Sequence, residues 1–428
     1  MKKLRVLVLV HETLVPPEDA SGYSMQEVDE WRTEYDVTTA LKAMGHEVRV
    51  LGMGDNLAEL RSVITEWKPD ISFNLLEEFQ GIVTYDQHVV AFLELMRQPY
   101  TGCNPRGMMI SPDKPLSKQI LAYHRIPTAK FALLPRNRRF RVPGRLKFPL
   151  FVKSATEDAS LGISQASIVH DAHRLKERVE FIHEQTHSDA LVEEYIEGRE
   201  IYIGVIGNER LTTFPLWELN FGTLPDVMAG IATRKVKWDR KYQRKHGIGT
   251  GPARELPDGL PPRVAQLARR IYRALFLSGY ARIDLRLRPD GSVVVLEANA
   301  NPNLAQIEDL ATSALSSGVG YDQLLDRILR IPARGLTNVA FPLEAAAEQL
   351  ARVPAREARA ILLSDCVHNA GPDPRPFAAK LPRLDVLLDA TGEKDIELGR
   401  ELASRGRGTC HVIRGYRDVA PALSEILR

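Results

Sequence analysis

Two short runs of alternating apolar residues, Ala281–Leu287 and Ser292–Leu296, flank Pro289-Asp290-Gly291. Alternation has the period of a strand, and Asp-Gly supplies the backbone freedom of a tight turn, so the stretch predicts an antiparallel hairpin. The hairpin sets Asp284, near the start of one strand, beside Glu297, near the end of the next. Asn299 lies two residues on and faces the same way, as does Arg282 two residues before Asp284. Two carboxylates and an amide oxygen form a hard-oxygen set suited to Mg²⁺. An arginine beside them suits phosphate or carboxylate chemistry. The plainer alternative is a hairpin with solvated charges. The following Asn299-Ala300-Asn301-Pro302-Asn303 turn favours function, because such a turn holds its amides in place.

A chain of 428 residues can bury several cores, and its length suggests two to four domains. With 57 basic against 55 acidic residues, nothing global points to nucleic acid or an anionic membrane. Cys103, Cys366 and Cys410 show neither metal spacing nor a pairing pattern, as expected of a reducing cytoplasm. Lys2-Lys3 followed by Leu4–Val10 could mimic a signal peptide, but His11-Glu12 ends the run without a cleavage site, and a first strand is expected. No stretch approaches the roughly 18 apolar residues of a membrane span.

Leu4–Val10, a helix over Glu34–Met44 closed by Gly45, and a strand over His46–Leu51 form a βαβ unit, with His11–Arg32 as a polar loop. A third strand, Asp70–Leu76, ends in Glu77-Glu78, where ligands approach parallel sheets. Asp86–Met96 is a helix. Asp113-Lys114 opens another, Lys114–Tyr123, with Lys118 one turn beyond Lys114. Strands follow at Pro127–Leu134 and Phe148–Lys153, separated by the arginine-rich stretch Arg136–Arg145, an exposed loop in preference to an anion-binding stripe. Residues 154–164 are small and polar with Gly162, a loop able to close over a polyphosphate, though not a Walker A loop. Asp171–His187 is a helix. The strand Ala190–Tyr195 carries Glu193 and Glu194, one able to bond an adenine amino group while the other faces solvent, or both simply edge charges. After the strand Ile201–Ile206, the cationic loop Thr233–Gly249 could meet nucleic acid or clamp phosphates. Helices are expected at Pro261–Ser278 and Tyr321–Arg330.

In order and spacing these stretches resemble the ATP-grasp superfamily, in its D-alanine–D-alanine ligase-like branch, over residues 1 to about 330. The resemblance implies an α/β (α+β ATP-grasp) fold: an N-terminal parallel α/β layer (1–110) and two subdomains (111–189 and 190–330) sandwiching a nucleotide. It implies an ADP-forming carboxylate–amine ligase working through an acylphosphate on an amino acid or small peptide, with ATP and two Mg²⁺ (or Mn²⁺) ions. Lys114 and Lys153 look like the phosphate lysines, and Ser160 and Gly162 match the end of the closing loop. Glu193 matches the adenine glutamate, Glu194 to Ile196 the hinge, and Glu200 the ribose glutamate. Lys241-Tyr242 resembles the pair on the loop over the γ-phosphate, Arg282 the arginine facing the tetrahedral intermediate, and Asp284, Glu297 and Asn299 the metal ligands. Glu34 resembles the glutamate that binds the first substrate's ammonium. Related ligases are commonly dimers through the first domain, which implies a homodimer.

The chain departs from that pattern where substrates are chosen. Leu76-Glu77-Glu78-Phe79-Gln80-Gly81 replaces a glycine-rich first-domain loop, and Asn301-Pro302-Asn303-Leu304-Ala305 replaces the oxyanion turn. Glu308 stands where the family has a serine binding the second alanine's carboxylate, and a carboxylate there repels it. A product other than D-Ala–D-Ala is expected. Residues 331–428 form a further α/β appendage, with strands at Ala360–Asp365, Leu384–Leu388 and Gly408–Ile413. It resembles the C-terminal half of a von Willebrand factor A domain, in which Thr337 and Asp365 would be metal-site parts. The Asp-x-Ser-x-Ser portion is absent, which favours a structural or partner-docking role. The competing classes are an ATP-grasp kinase or non-amine ligase, and a nucleotide-binding scaffold with a docking tail.

Overall fold

The computed structural model describes residues 3–156, 163–224, 231, 233, 236–237, 239–331, 339–351, 353–354, 358–368, 372–390 and 394–427. They form two compact units: residues 1–206 with 212–332, and residues 207–211 with 333–428.

The first unit begins with β1 (Arg5–His11), whose apolar run is buried on both faces between parallel β2 (Glu47–Met53) and β3 (Ile71–Asn74). The helix Arg32–Ala43 turns Val37 and Leu41 onto this sheet. The helix Tyr321–Arg330 adds Leu324, Leu325 and Ile328 to the same core. The first and last elements of the unit therefore share one hydrophobic core. The connection after β1 is not wholly a loop, because it contains the helix Met25–Glu30. Ser24 and Glu27 form a reciprocal capping box that starts it, a Ser-x-x-Glu signal legible in the sequence. The helices Ala58–Trp67 and Pro105–Ile110 were likewise not anticipated.

The next layer is an antiparallel sheet in the order β4-β7-β5-β6, made of Phe131–Leu134, Ala190–Glu194, Leu150–Ser154 and Ile168–Val169. The helix Ala172–Gln185 covers it through Leu175, Val179 and Ile182. A larger sheet follows in the order β11-β10-β8-β12-β13, with β9 (Thr212–Thr213) beside β8. Its strands are β8 (Arg199–Ile206), β10 (Trp217–Asn220), β11 (Gly249–Pro252), β12 (Tyr280–Leu287) and β13 (Val293–Asn299). β12 lies inside the sheet, paired antiparallel to both β8 and β13. Gly279 leads into it at φ +68°, and a Cβ there would lie 2.3 Å from the Gly102 carbonyl oxygen, so only glycine fits. The cationic stretch expected as a loop contains the helix Arg240–His246. Asp239 caps its N-terminus and Gly247, at φ +65°, ends it, so the local capping chemistry outweighs the density of positive charge.

The second unit holds a parallel sheet in the order β14-β15-β16, made of Ala360–Ser364, Leu384–Asp389 and Arg407–Ile413. Helices Ala340–Leu350, Arg375–Lys380 and Ile396–Arg405 supply its main core through Leu343, Ala378 and Leu402, among others. The helix Val419–Ile426 packs on Leu387 and Ile413. Asp365 follows β14 and accepts a hydrogen bond from the Val367 N–H (3.0 Å), while Thr337 lies outside the described residues.

Candidate active site

The β12–β13 hairpin places Asp284 directly opposite Glu297 and Arg282 opposite Asn299. Arg282 grips Asp284 with a two-pronged fork: Nε donates to Oδ1 at 2.8 Å and Nη2 to Oδ2 at 2.9 Å. Its remaining nitrogen reaches Asp309 at 3.3 Å, and the guanidinium lies 4.7 Å from the centre of the Tyr202 ring. Burial pushes the Asp284 carboxyl up, against the pull of Arg282. Burial would raise Glu297 as well, but Lys114, Lys153, Lys237 and Arg282 around it win and hold its carboxyl down at about 2. Glu297 is thus a fixed anion facing cations from four other segments of the chain. Asn299 accepts from the Asn301 N–H through its Oδ1 (2.9 Å), which fixes the amide and leaves that oxygen a second lone pair.

Lys114 begins the helix Lys114–Tyr123, started by Asp113, which accepts from the Leu116 N–H at 2.9 Å. Lys153 lies on β5, diagonal to Glu193 on β7. Glu193 is buried between two ammonium groups, Lys118 Nζ at 2.9 Å from Oε1 and Lys153 Nζ at 3.4 Å from Oε2. Burial opposes the Glu193 charge, but the two lysines keep its carboxyl below its ordinary range. Although the Lys118 contact is close, Glu193 Oε1 has no hydrogen-bond donor in good alignment. Glu194, half-buried, accepts from the Lys147 N–H at 3.0 Å, and Ile196 packs with Ala129 and Val294 as a small apolar floor. Glu200 is buried with both oxygens engaged, one by Tyr202 OH (2.9 Å) and the other by Arg286 Nη2 (3.1 Å). A sugar hydroxyl there would have to share it.

The far side of the site comes from the first layer and from the turn after β13. Glu34, in the first turn of the helix Arg32–Ala43, is 6% exposed. Burial, with the nearby Glu77 charge, pushes its carboxyl up to about 7. The turn is fastened to this layer by Asn301 Nδ2 donating to the Leu76 carbonyl (2.8 Å), Thr33 Oγ1 to Asn303 Oδ1 (2.7 Å), and the Gln306 N–H to Asp36 (2.9 Å). Glu308 precedes the helix Asp309–Ser316, and its carboxyl is raised by burial and by Asp309, against Arg240, 3.6 Å away.

Arg282, Asp284, Glu297, Lys114 and Lys153 thus share one field, with Glu193 bound into it through Lys153. Lys241 is exposed on its helix, and Tyr242 packs against His246, their ring centres 4.6 Å apart. Ser160 and Gly162 lie outside the described residues. Asp309 and Arg286 carried no sequence signal, since each acts through a partner distant in the chain. Lys118 was visible only as a lysine one turn from Lys114.

The donor set fits a nucleotide and a divalent cation. Glu297 is ionised, lysines converge on it, and the Glu193 carboxylate has an acceptor without an aligned donor. Among the described residues no group of three or more His, Cys, Asp and Glu side chains converges on one point, so an ion held here depends on the Asn299 amide beside Asp284 and Glu297.

Antiparallel sheets carrying lysines on one side and a carboxylate hairpin on the other define an ATP-grasp fold. Residues 119–330 match the family model for the D-ala D-ala ligase C-terminus. The D-alanine–D-alanine ligase of Bacillus anthracis is 31% identical over 273 residues, 63% of this chain and 83% of that protein. An uncharacterized protein of Sinorhizobium fredii, y4sG, is 33% identical over 309 residues, 70% of this chain and 86% of its own length. The crystal structure of the Bacillus anthracis D-alanine–D-alanine ligase complexed with ATP superposes with a TM-score of 0.58 at 26% identity, covering 77% of this chain and 97% of that one. The chain belongs to the D-alanine–D-alanine ligase family and is an ADP-forming ATP-grasp ligase that makes a C–N bond. No helix among the described residues is long and apolar enough to cross a membrane.

Proposed function

We propose that the protein joins the carboxylate of an amino acid or small peptide to an amine whose binding end carries no free carboxylate, so that D-Ala–D-Ala is not its product. The observation that carries this reading is the acidic end of the turn after β13. Glu308 and Asp309 stand side by side there, and Asp309 reaches Arg282 at 3.3 Å. Burial already works against the Glu308 charge, and a second carboxylate beside it would add repulsion in a medium that screens poorly. An amine that is cationic or amidated meets no such penalty.

Glu34 supports the amino-acid half. It is a buried carboxyl with no ion-pair partner among the described residues, and an ammonium group docking on it would restore its charge. Lys114 and Lys153 would hold the nucleotide phosphates, with Glu193 and Ile196 at the base. Asp284, Glu297 and Asn299 would hold Mg²⁺. ATP with Mg²⁺ supplies the phosphoryl group that makes a carboxylate a good acyl donor. Arg282, held by Asp284 and Asp309, would face the oxygen on which charge develops.

ADP release is to be measured over pairs of amino acids, amino-acid amides and diamines. The expected outcome is turnover with amidated or cationic acceptors and little with free D-alanine. Robust turnover on D-alanine alone overturns the acceptor reading, and ADP release without any amine indicates a kinase or non-amine ligase instead.

A further inference from the structure

We propose that Lys118 is a positioning residue whose ammonium serves as the internal counter-ion of Glu193, leaving the charge of Lys153 free for a polyphosphate. The inference rests on the nucleotide reading of the site. It concerns a residue that touches neither the phosphates nor the reacting atoms.

Lys118 is 2% exposed. Its Nζ lies 2.9 Å from Glu193 Oε1 and donates to Thr128 Oγ1 at 3.0 Å and to the Leu296 carbonyl at 3.2 Å. Of the three N–H donors of the ammonium, Thr128 and Leu296 take two, and the Glu193 carboxylate faces the group as its ion-pair partner. Buried and paired in this way, Lys118 is shielded from a ligand. Lys153, by contrast, touches Glu193 at the longer distance of 3.4 Å, and also lies close enough to Glu297 to depress its carboxyl.

Charge balance gives this arrangement its meaning. A buried carboxylate paired with a single lysine neutralises it, and a lysine so neutralised attracts a phosphate weakly. Here one carboxylate meets two ammonium groups, so the buried trio carries one net positive charge. The sealed lysine supplies the balance and the outer one keeps the surplus. Lys118 also ties the helix Lys114–Tyr123 to the carbonyl of Leu296, the residue before Glu297. One side chain thus sets both the charge at Lys153 and the position of the strand bearing the carboxylate opposite Asp284.

The test uses the full chain and two probes, the non-hydrolysable analogue MgAMP-PNP and adenosine, which has no phosphates. Both affinities are measured calorimetrically for the wild type, K118M, E193Q and K118M/E193Q. In K118M, Glu193 has only Lys153 left to pair with. MgAMP-PNP affinity is expected to fall about tenfold or more, the scale of one charge-assisted contact, while adenosine affinity changes within a few-fold. In the E193Q background the carboxylate is gone and Lys153 is already released, so K118M/E193Q is expected to bind MgAMP-PNP within a few-fold of E193Q, whatever E193Q itself costs at the adenine end. Removing both members of a buried pair is far better tolerated than removing one, so the double variant keeps the test decisive even where K118M does not fold. Unchanged MgAMP-PNP binding by K118M, or a K118M/E193Q affinity about tenfold or more below that of E193Q, overturns the proposal. Equal losses for adenosine and MgAMP-PNP also overturn it, since they indicate a structural tie alone. Absence of MgAMP-PNP binding by the wild type is a separate result that overturns the nucleotide reading along with it.

Discussion

Arg282 shows how one side chain can be both structural and chemical. It is the ion-pair partner of the buried Asp284 and is itself half-buried. Arg282→Ala strands that carboxylate, so a loss of roughly 3 kcal/mol of stability is expected in denaturant unfolding. Turnover should fall by at least about 10²–10³, the cost of one preorganised oxyanion donor. Arg282→Lys keeps the charge but not the fork, and is expected to fold while remaining slow. Near wild-type turnover in either variant removes Arg282 from the chemistry. Glu34 gives a prediction with a definite sign. Its carboxyl is raised from 4.5 to about 7, so the folded state holds a proton that the unfolded chain releases. Stability should therefore fall as pH rises from about 4.5 to 7 and level off above, by up to roughly 3 kcal/mol from this group. Comparing unfolding of the wild type and Glu34→Gln across that range isolates the contribution. The same slope in both excludes Glu34 as its source.

At the scale of elements, the β12–β13 hairpin was legible because its information is local. Alternation and Pro289-Asp290-Gly291 fix the hairpin and its turn, but the direct apposition of Asp284 and Glu297 also needs the bulge between Asp284 and Leu285, which shifts the register by one residue. Gly279 is a second local determinant, but its reason is tertiary, since the Gly102 carbonyl leaves no room for a side chain. Gly279→Ala combines an unfavourable φ with that clash, and a loss of at least about 2 kcal/mol is expected in thermal or denaturant unfolding. A smaller effect shows that the two segments separate easily. The helix Arg240–His246 does not show in the sequence because seven cations over a short stretch read as an anion-binding loop, whereas Asp239 and Gly247 supply both its ends. Capping chemistry acts over three or four residues and is easily hidden by composition.

Across the whole molecule, the two units have separate hydrophobic clusters. Leu343, Leu384 and Leu402 belong to one, and Val8, Leu41 and Leu325 to the other. A chain ending at residue 332 is therefore expected to fold and to bind MgAMP-PNP within a few-fold of the intact protein, measured by calorimetry. Loss of binding would make residues 333–428 part of the nucleotide machinery rather than an appendage. Within the first unit, the shared core of β1 with the helix Tyr321–Arg330 joins segments more than 300 residues apart in the numbering. No local pattern announces such a contact.

By itself the sequence determined the strands, their faces, the carboxylate hairpin and the order of lysines and carboxylates that marks an ATP-grasp chain, because periodicity and turn chemistry act between near neighbours. The tertiary structure decided what those groups do to one another. It sealed Lys118 against Glu193 across 75 positions, gave Arg282 a second anchor in Asp309, buried Glu34 until its carboxyl rose to about 7, and set Glu308 beside Asp309 near Arg282. The physical reason is that the strength of a charge depends on desolvation and on distances through space, and both exist only once the chain has closed.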